Sequence, residues 1–276
     1  MINKLKSRGL IFTNIENANK ILKFENYYKL INGYKDIFLD PGSSTEKFKK
    51  GLHFSEVYSL YKFDEEIRSI FFKRILSIEN QVKSVISYEF SISHNKDEYL
   101  SIQNYNLIYK NNSDLQRMIQ TLKNIVTPNK YNKQSFDKRI SHYNSQYGFV
   151  PLWVLINLIT LGNASYFYKF MKPQEQNNVA KSFQIKPNIL NNYLKILTIV
   201  RNICAHNKRL FSLKFRSQIA ATSYNQNFHN SQSHVNRNDL FSLLIVIKQL
   251  MNDSIEFDKI KKRNKNEPYG TECFFD

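Results

Sequence analysis

The sequence predicts an all-α protein. Apolar residues recur at helical spacing over long stretches, and no stretch alternates between apolar and polar residues for as long as a strand requires. The 276 residues include only 7 Gly and 6 Pro, too few for a sandwich or barrel with many tight turns, or for a glycine-rich phosphate loop. This length corresponds to one large domain or two small ones, at roughly 100–200 residues per domain.

Two helices are predicted in the N-terminal part. The first is Ile15–Asn32, and a turn at Asp40–Ser44 follows it. The second is Phe63–Phe90, whose acidic first turn suits the positive end of a helix dipole. The apolar face predicted for the first comprises Ile21, Phe24, Tyr28 and Ile31. The stripe predicted for the second comprises Ile67, Ile70, Phe71, Ile75, Ile78, Val82, Val85 and Ile86.

Four helices are predicted further along the chain. They are Asp114–Val126, a helix opened by Pro151 and stopped or kinked at Gly162-Asn163 before Ala164–Met171, then Asn188–His206, and finally a helix through Met251 capped by Asn238-Asp239. The buried face of the third comprises Leu190, Tyr193, Leu194, Leu197, Val200 and Cys204. We expect Asn188–His206 to pack against Phe63–Phe90, because only mutual burial satisfies both apolar stripes.

Three parts of the chain are predicted from this pattern. Residues 1–50 form an N-terminal helical segment packed on the core, residues 51–258 form the main helical domain, and residues 259–276 form a basic tail. Residues 217–238 are expected to be a polar loop, and the tail carries five basic residues within Lys259–Lys265.

The charge of the chain is strongly positive and unevenly distributed. Lys and Arg total 40 against 23 Asp and Glu, which gives a net charge of +17, although an AT-rich genome would account for part of the lysine excess. Residues 176–238, by contrast, contain no carboxylate and nine basic side chains in 63 residues. This stretch favours a polyanionic partner over a divalent metal ion, and the alternative is a solvated basic face.

Several classes of protein are excluded by composition. Two cysteines exclude a disulfide framework and a cysteine-based zinc module. The longest apolar runs, such as Leu152–Leu161, are shorter than the roughly 20 residues of a membrane span, and the N-terminus lacks the apolar region of a signal peptide. We therefore expect a cytoplasmic protein of a reducing compartment that has neither a membrane partner nor a cofactor.

The chemistry predicted for the carboxylate-free stretch centres on Arg201, Asn202 and His206, at the end of a helix. Cleavage of RNA without a metal ion requires a base for the 2′-OH proton, an acid for the leaving oxygen and a cation for the charge on phosphorus. Histidine suits the proton transfers and arginine suits the phosphate, whereas the 2′-OH confines the reaction to RNA. His206 could also be a helix C-terminal histidine favoured by the dipole.

Helical geometry places a condition on these residues. At about 100° per residue, Asn202 and His206 lie within about 40° of each other, whereas Arg201 and His206 are about 140° apart. Either the helix unwinds near Ala205, or a second copy of the chain supplies the missing groups. Cys204 is expected to be a core residue rather than a nucleophile.

Four blocks in order resemble one known family. Arg201-x4-His206 with Asn202 resembles the signature of HEPN ribonucleases, and LTIVRNICAHNKRLF at 197–211 resembles their abortive-infection (Abi-like, AbiD/AbiF) branch. The other three blocks are NYYKLINGY at Asn26–Tyr34, the long segment Phe54–Ser84 and PLWVLINLITLGNASYFY at Pro151–Tyr168. The chain departs from the family at two positions. Asn157 stands where an acidic residue is frequent, and Asn207 where a second His or a small residue is frequent.

This resemblance implies a HEPN-like helical bundle with an N-terminal helical extension. It implies a metal-independent endoribonuclease of phage defence or of a toxin–antitoxin system, which pairs two motifs across a homodimer and is controlled by a small structured noncoding RNA. In that scheme His206 is the general acid and base, Arg201 clamps the phosphate and Asn202 orients the reacting groups. The residues expected to hold flanking phosphates are Lys195, Lys208, Arg209, Lys214 and Arg216.

Two other functions are compatible with the same residues. One is a non-catalytic RNA-binding protein of the same fold, and the other is a toxin controlled by a nucleotidyltransferase partner.

Glu79 and Arg68 lie eleven residues apart on nearly the same helix face and predict a salt bridge or packing pair. The alternative role for Glu79 is to orient Arg201. His142, His229 and His234 are expected to be surface residues, because they lack a metal-ligand partner at a recognisable spacing.

Overall fold

The computed structural model describes residues 1–127, 137–222 and 237–251, and within them the fold is all-α, which confirms the predicted class. The only β-type pairings in these ranges are two isolated bridges, Ile11 with His53 and Leu39 with Phe48. No helix in the described part of the chain is long and apolar enough to span a membrane. Most of the predicted loop 217–238, with His229 and His234, and the tail Lys259–Lys265 lie outside the described residues.

Eleven α-helices are present in these ranges, numbered here in chain order. They are α1 (Ile2–Ser7), α2 (Ile15–Phe24), α3 (Gly33–Phe38), α4 (Phe54–Ser93), α5 (Ser113–Val126), α6 (Lys138–Tyr147), α7 (Leu152–Leu155), α8 (Leu161–Phe170), α9 (Pro173–Ser182), α10 (Pro187–Ala205) and α11 (Leu240–Leu250).

The predicted helix Ile15–Asn32 is wrong, because the chain breaks after α2 and resumes as a π-helix at Tyr28–Asn32. Asn26 adopts a left-handed backbone with φ of 65°, and its side chain accepts a hydrogen bond from the backbone N–H of Tyr28 at 3.0 Å. Phe24, the last residue of α2, and Tyr28, which follows the break, are both exposed rather than inside. The buried residues are Ala18, Leu22, Leu30 and Ile31.

The long helix α4 begins nine residues earlier than predicted and ends three residues later. Glu56 fixes its start, because the Glu56 carboxylate accepts the backbone N–H of His53 at 2.8 Å. The predicted acidic first turn therefore lies inside the helix, with Asp64 fully buried. Most of the predicted apolar stripe faces the core, but Ile70 is 55% exposed.

The helix predicted from Pro151 is split into α7 and α8 at a different place from the one expected. The break lies at 156–160 rather than at Gly162-Asn163, and the side chain of Thr160 caps α8 by accepting the N–H of Asn163 at 3.2 Å. Gly162 lies in the first turn of α8, where a Cβ atom would stand 3.3 Å from the Thr198 methyl of α10. Because glycine has no side chain, α8 can pack closely on α10 at this position.

The other predicted helices are confirmed, whereas α1, α6 and α9 were not predicted from the sequence. α5 and α10 match the predicted ranges within one residue at each end, and the predicted buried face of α10 is buried. The Asp239 side chain caps α11 by accepting the N–H of Ser242 at 2.9 Å. As expected, α10 packs along α4.

Two hydrophobic clusters form the interior. The smaller one extends from Ile2 to Tyr61 and contains α1–α3 with the first two turns of α4. The larger one extends from Phe71 to Leu250 and contains the rest of α4 and the later helices. α4 therefore belongs to both clusters, and it carries the residues that position the end of α10.

Candidate functional site

The end of α10 is a Schellman motif. The backbone N–H of Lys208 donates to the carbonyl of Ile203 at 2.9 Å, and that of Asn207 donates to the carbonyl of Cys204 at 3.1 Å. Asn207 adopts the left-handed backbone that this motif needs, with φ of 51°. The helix is intact through Ala205, so it does not unwind before His206, and the separation of about 140° between Arg201 and His206 persists.

This geometry gives Asn207 a local role. Asparagine is among the few residues that adopt the left-handed conformation readily, and the structure requires that conformation one residue after His206. The departure from the family pattern at this position is thus compatible with the same helix end.

Asn202 and His206 project from the outer face of α10. Both side chains are exposed, and they have no hydrogen-bond partner within the described ranges. Lys195 and the half-exposed Ile199 precede them at spacings of four and three residues, which places all four on one stripe. The stripe presents a cation, an amide and an imidazole to the same region of solvent.

Arg201 points away from this stripe and toward α4. Its Nε lies 3.7 Å from Oε2 of Glu79, and its guanidinium lies 5.9 Å from the centre of the Phe72 ring. The Glu79 side chain is 6% exposed and the Arg201 side chain 29%. The structure thus brings Arg201 and Glu79 together, as the orienting role proposed for Glu79 requires.

The predicted pair of Glu79 with Arg68 is wrong. Glu79 instead accepts a hydrogen bond from Nζ of Lys83 at 2.5 Å, and Arg68 pairs with Asp64. Residues four apart are nearest neighbours along a helix, whereas eleven residues span about 16 Å of α4.

The ion cluster of Glu79, Lys83 and Arg201 carries one excess positive charge. Oε2 of Glu79 and Nε of Arg201 are buried and lack a hydrogen-bond partner within the described residues, although buried polar atoms are usually paired. A distance of 3.7 Å is too long for a hydrogen bond but short enough for a strong charge interaction. Arg201 is therefore held near Glu79 while its remaining donors stay available to an anion.

Asp64 anchors the segment that follows His206, a role that was not predicted from the sequence. Its carboxylate accepts the backbone N–H of Phe211 at 2.7 Å and that of Leu210 at 3.1 Å. Tyr34 donates its hydroxyl to the same carboxylate at 2.6 Å, and Arg68 forms an ion pair with it. Burial raises the pKa of the Tyr34 hydroxyl, and the bond to Asp64 raises it further. The signals in the sequence were Tyr34, which ends the NYYKLINGY block, and the acidic run at 64–66.

The five basic residues expected to hold phosphates divide into two groups. Arg209 is engaged within the chain, because its Nη1 contacts Asp36 at 2.6 Å and donates to the carbonyl of Gly33 at 2.9 Å. Arg209 also holds the pKa of Asp36 below its usual value. The other four residues, Lys195, Lys208, Lys214 and Arg216, have exposed side chains that are free to meet solvent.

Three other residues confirm or refine the sequence predictions. Cys204 is a buried core residue as predicted, and burial raises the pKa of its thiol to about 11. His142 is exposed on α6, as expected of a surface residue. Asn157 donates its side-chain amide to the carbonyl of Trp153 at 2.7 Å.

Within 1–127, 137–222 and 237–251, no three His, Cys, Asp or Glu side chains cluster as a metal site would require.

A comparison with known protein families found a family model that includes this region of the molecule. The model of the Abi-like protein family matches residues 20–212, which extend from α2 through α10 to the segment held by Asp64. No curated protein and no solved structure shows significant similarity to the chain. The match covers well over half of the sequence and includes Arg201, Asn202, His206 and Glu79. The chain therefore belongs to the family of Abi-like abortive-infection proteins.

Proposed function

We propose that this protein is a metal-independent HEPN endoribonuclease that acts as a homodimer in phage defence or in a toxin–antitoxin system. The observation that carries the proposal is the arrangement at the end of α10. Asn202 and His206 face solvent on a stripe that also carries Lys195, while Arg201 on the same turn is held beside α4 by Glu79. A histidine, an amide and a partly exposed arginine are the groups that RNA cleavage without a metal requires.

The reaction follows from these groups. His206 accepts the proton of the 2′-OH, the 2′-oxygen bonds to phosphorus, and the bond from phosphorus to the 5′-oxygen breaks. The leaving 5′-oxygen takes a proton from His206 of the second copy. Arg201 stabilises the charge that builds on the phosphate oxygens, and Asn202 orients the imidazole or the phosphate. Glu79 is a positioning residue, because it touches Arg201 rather than the RNA.

Basic side chains near this site supply the flanking contacts. Lys195 lies on the same stripe of α10, and Lys208, Lys214 and Arg216 follow His206 with exposed side chains. Because Asp36 already neutralises Arg209, that residue contributes through the position of the segment rather than through a phosphate. A small structured noncoding RNA would bind the same basic face and control the activity.

The decisive experiment separates cutting from binding. We expect purified protein to cleave single-stranded RNA in excess EDTA, and His206→Ala to slow cleavage by about 10²–10⁴-fold while RNA affinity changes little. The matched control is His142→Ala, which removes another exposed histidine, on α6, and should leave the rate unchanged. Sequencing the RNA that copurifies with His206→Ala would identify the regulatory RNA.

The outcomes discriminate between the functions. Full activity of His206→Ala, or a strict requirement for a divalent cation, would refute the proposed chemistry. RNA that is bound tightly but never cut by the wild-type protein would instead establish the non-catalytic RNA-binding function. In either case, contact with about six phosphates predicts a slope of log K against log salt of about −4 to −5.

A further inference from the structure

A groove lies on the outer side of α4, beyond the ion cluster of Glu79, Lys83 and Arg201. Its volume is about 390 Å³, within the roughly 300–1,000 Å³ range of small-molecule sites. Six residues line it: Ser84, Ser87, Tyr88, Ser91, Ile92 and Trp153. None of them is charged, although the chain as a whole carries a net charge of +17.

The groove results from residue size along α4. Serines at 84, 87 and 91 recur on one side of the helix and leave a depression, because their side chains are short. Trp153, at the start of α7, forms the opposite wall and is 56% exposed. Tyr88 and Ile92 rise beside the serines with 66% and 65% of their surface exposed. Three large apolar side chains thus surround a floor of hydroxyl groups.

The groove continues the row of side chains that holds Arg201. Glu79, Lys83, Ser87 and Ser91 follow one another at intervals of four residues, so each is the neighbour of the next along α4. Ser87 lies eight residues beyond Glu79, which corresponds to about 12 Å along the helix axis. A strand whose phosphate met Arg201 would therefore reach the groove within a few nucleotides.

We propose that this groove binds an unpaired nucleobase of the RNA, which stacks on Trp153. The proposal rests on RNA being the ligand of the site at Arg201 and His206. Aromatic faces without charge suit a base rather than a phosphate, and the hydroxyls of Ser84 and Ser91 can bond to the polar edge of the base. The hydroxyl of Ser87 is buried and donates to the carbonyl of Ser84 at 2.9 Å. The excess positive charge of the adjacent cluster attracts the backbone that carries the base.

A second copy of the chain is a less suitable occupant. Stable protein interfaces bury roughly 20–30 residues on each side, whereas this groove presents six residues around a concave floor. A concave aromatic and hydroxyl-lined site is typical of a small planar group with polar edges.

The test uses Trp153 itself, because it is the only tryptophan in the sequence. The probe is a short single-stranded oligonucleotide with 2′-methoxy groups, which cannot be cleaved because the 2′-OH is absent. We expect it to quench the tryptophan fluorescence of the full-length protein, whereas an abasic strand of equal length and inorganic polyphosphate do not. Trp153→Ala should weaken oligonucleotide binding by roughly 5- to 150-fold, and Trp153→Phe by less, because base stacking survives on Phe.

The matched control is Phe24→Ala, which removes an exposed aromatic on α2 and should not change binding. Unchanged fluorescence on a bound strand, or wild-type affinity of Trp153→Ala, would overturn the inference. The inference would also be overturned if the fluorescence of Trp153 changed as the protein dimerised at higher concentration without nucleic acid, because a second copy would then cover the groove. If the protein cleaves RNA but the oligonucleotide does not quench Trp153, only the inference that the groove binds a base is refuted. If quenching occurs but RNA is not cleaved, only the proposed ribonuclease activity is refuted.

Discussion

Asp64 is the residue at which distant parts of the chain meet. Its fully buried carboxylate joins Tyr34 of α3, Arg68 of α4 and the backbone of Leu210 and Phe211. These bonds place the N-terminal segment and the chain after His206 in contact through one side chain. A buried carboxylate is stable only when its acceptor sites are occupied, and here they are.

Replacement of Asp64 tests this role. We expect Asp64→Asn to lower the free energy of unfolding by about 3–5 kcal/mol, because the buried Arg68 loses its counter-ion. The comparison variant is Asp36→Asn, which removes the more exposed partner of Arg209 and should lose less than about 1 kcal/mol. Urea denaturation measures both values, and equal losses would show that Asp64 has no special structural role.

Cys204 provides a test that depends on pH. Burial raises the pKa of its thiol from 9.0 to about 11, so the folded protein keeps the proton where the unfolded chain loses it. Its contribution to stability is therefore complete below pH 9 and is lost as the pH rises toward 11.

The same shift predicts slow alkylation. In Cys273→Ser, which leaves Cys204 as the sole thiol, the thiolate fraction of the folded protein at pH 8 is about 100-fold below that of the unfolded chain. We expect iodoacetamide to react at least that much more slowly without urea than with it, as measured by mass spectrometry. Equal rates would mean that the thiol is neither buried nor shifted.

At the scale of elements, the end of α10 controls where His206 lies. The Schellman motif turns the chain sharply after His206, and Asp64 then receives the following segment. One left-handed residue thus separates a helix face that presents Asn202 and His206 from a segment that is bound to α4.

Substitutions at Asn207 test this element. Asn207→Gly should keep the free energy of unfolding within about 0.5 kcal/mol, because glycine adopts a positive φ readily. Asn207→Val should lower it by about 1–2 kcal/mol, because a β-branched residue is strained there. Ser212→Val, an exposed change without a positive φ, is the control. Denaturation in urea measures all three, and tolerance of Val at 207 would contradict the motif.

At the scale of the whole molecule, a single chain does not bring the proposed catalytic groups together. Arg201 faces α4, whereas His206 faces solvent about 140° away on an intact helix. An isologous dimer would place two copies of this helix end together and complete one shared cleft. The two positive clusters would repel each other there until a phosphate backbone entered between them.

Mixed dimers test the shared cleft. We expect heterodimers of wild type and His206→Ala to retain far less than half of the wild-type activity, since loss of one proton-transfer group slows cleavage by about 10²–10⁴-fold. Differently tagged subunits allow the heterodimer to be purified and its RNA cleavage rate measured. Half activity in that species, or cleavage by a monomer, would mean that each site works independently.

The sequence by itself determined the features that depend on local periodicity and capping. The all-α class, the buried face of α10, the core position of Cys204 and the Asp239 cap of α11 were all predicted. The reason is that an apolar stripe at helical spacing and a capping side chain act over a few neighbouring residues. The Arg201, Asn202 and His206 set was also visible, because it lies within six consecutive residues.

Only the tertiary structure decided which distant groups meet. It brought Asp64 to the backbone of Leu210 and Phe211, and it paired Arg209 with Asp36. The sequence left open whether Glu79 approaches Arg201, and the structure brings the two side chains together. These outcomes depend on how α3, α4 and α10 approach one another, and that approach minimises exposed apolar surface over the whole chain rather than over any segment.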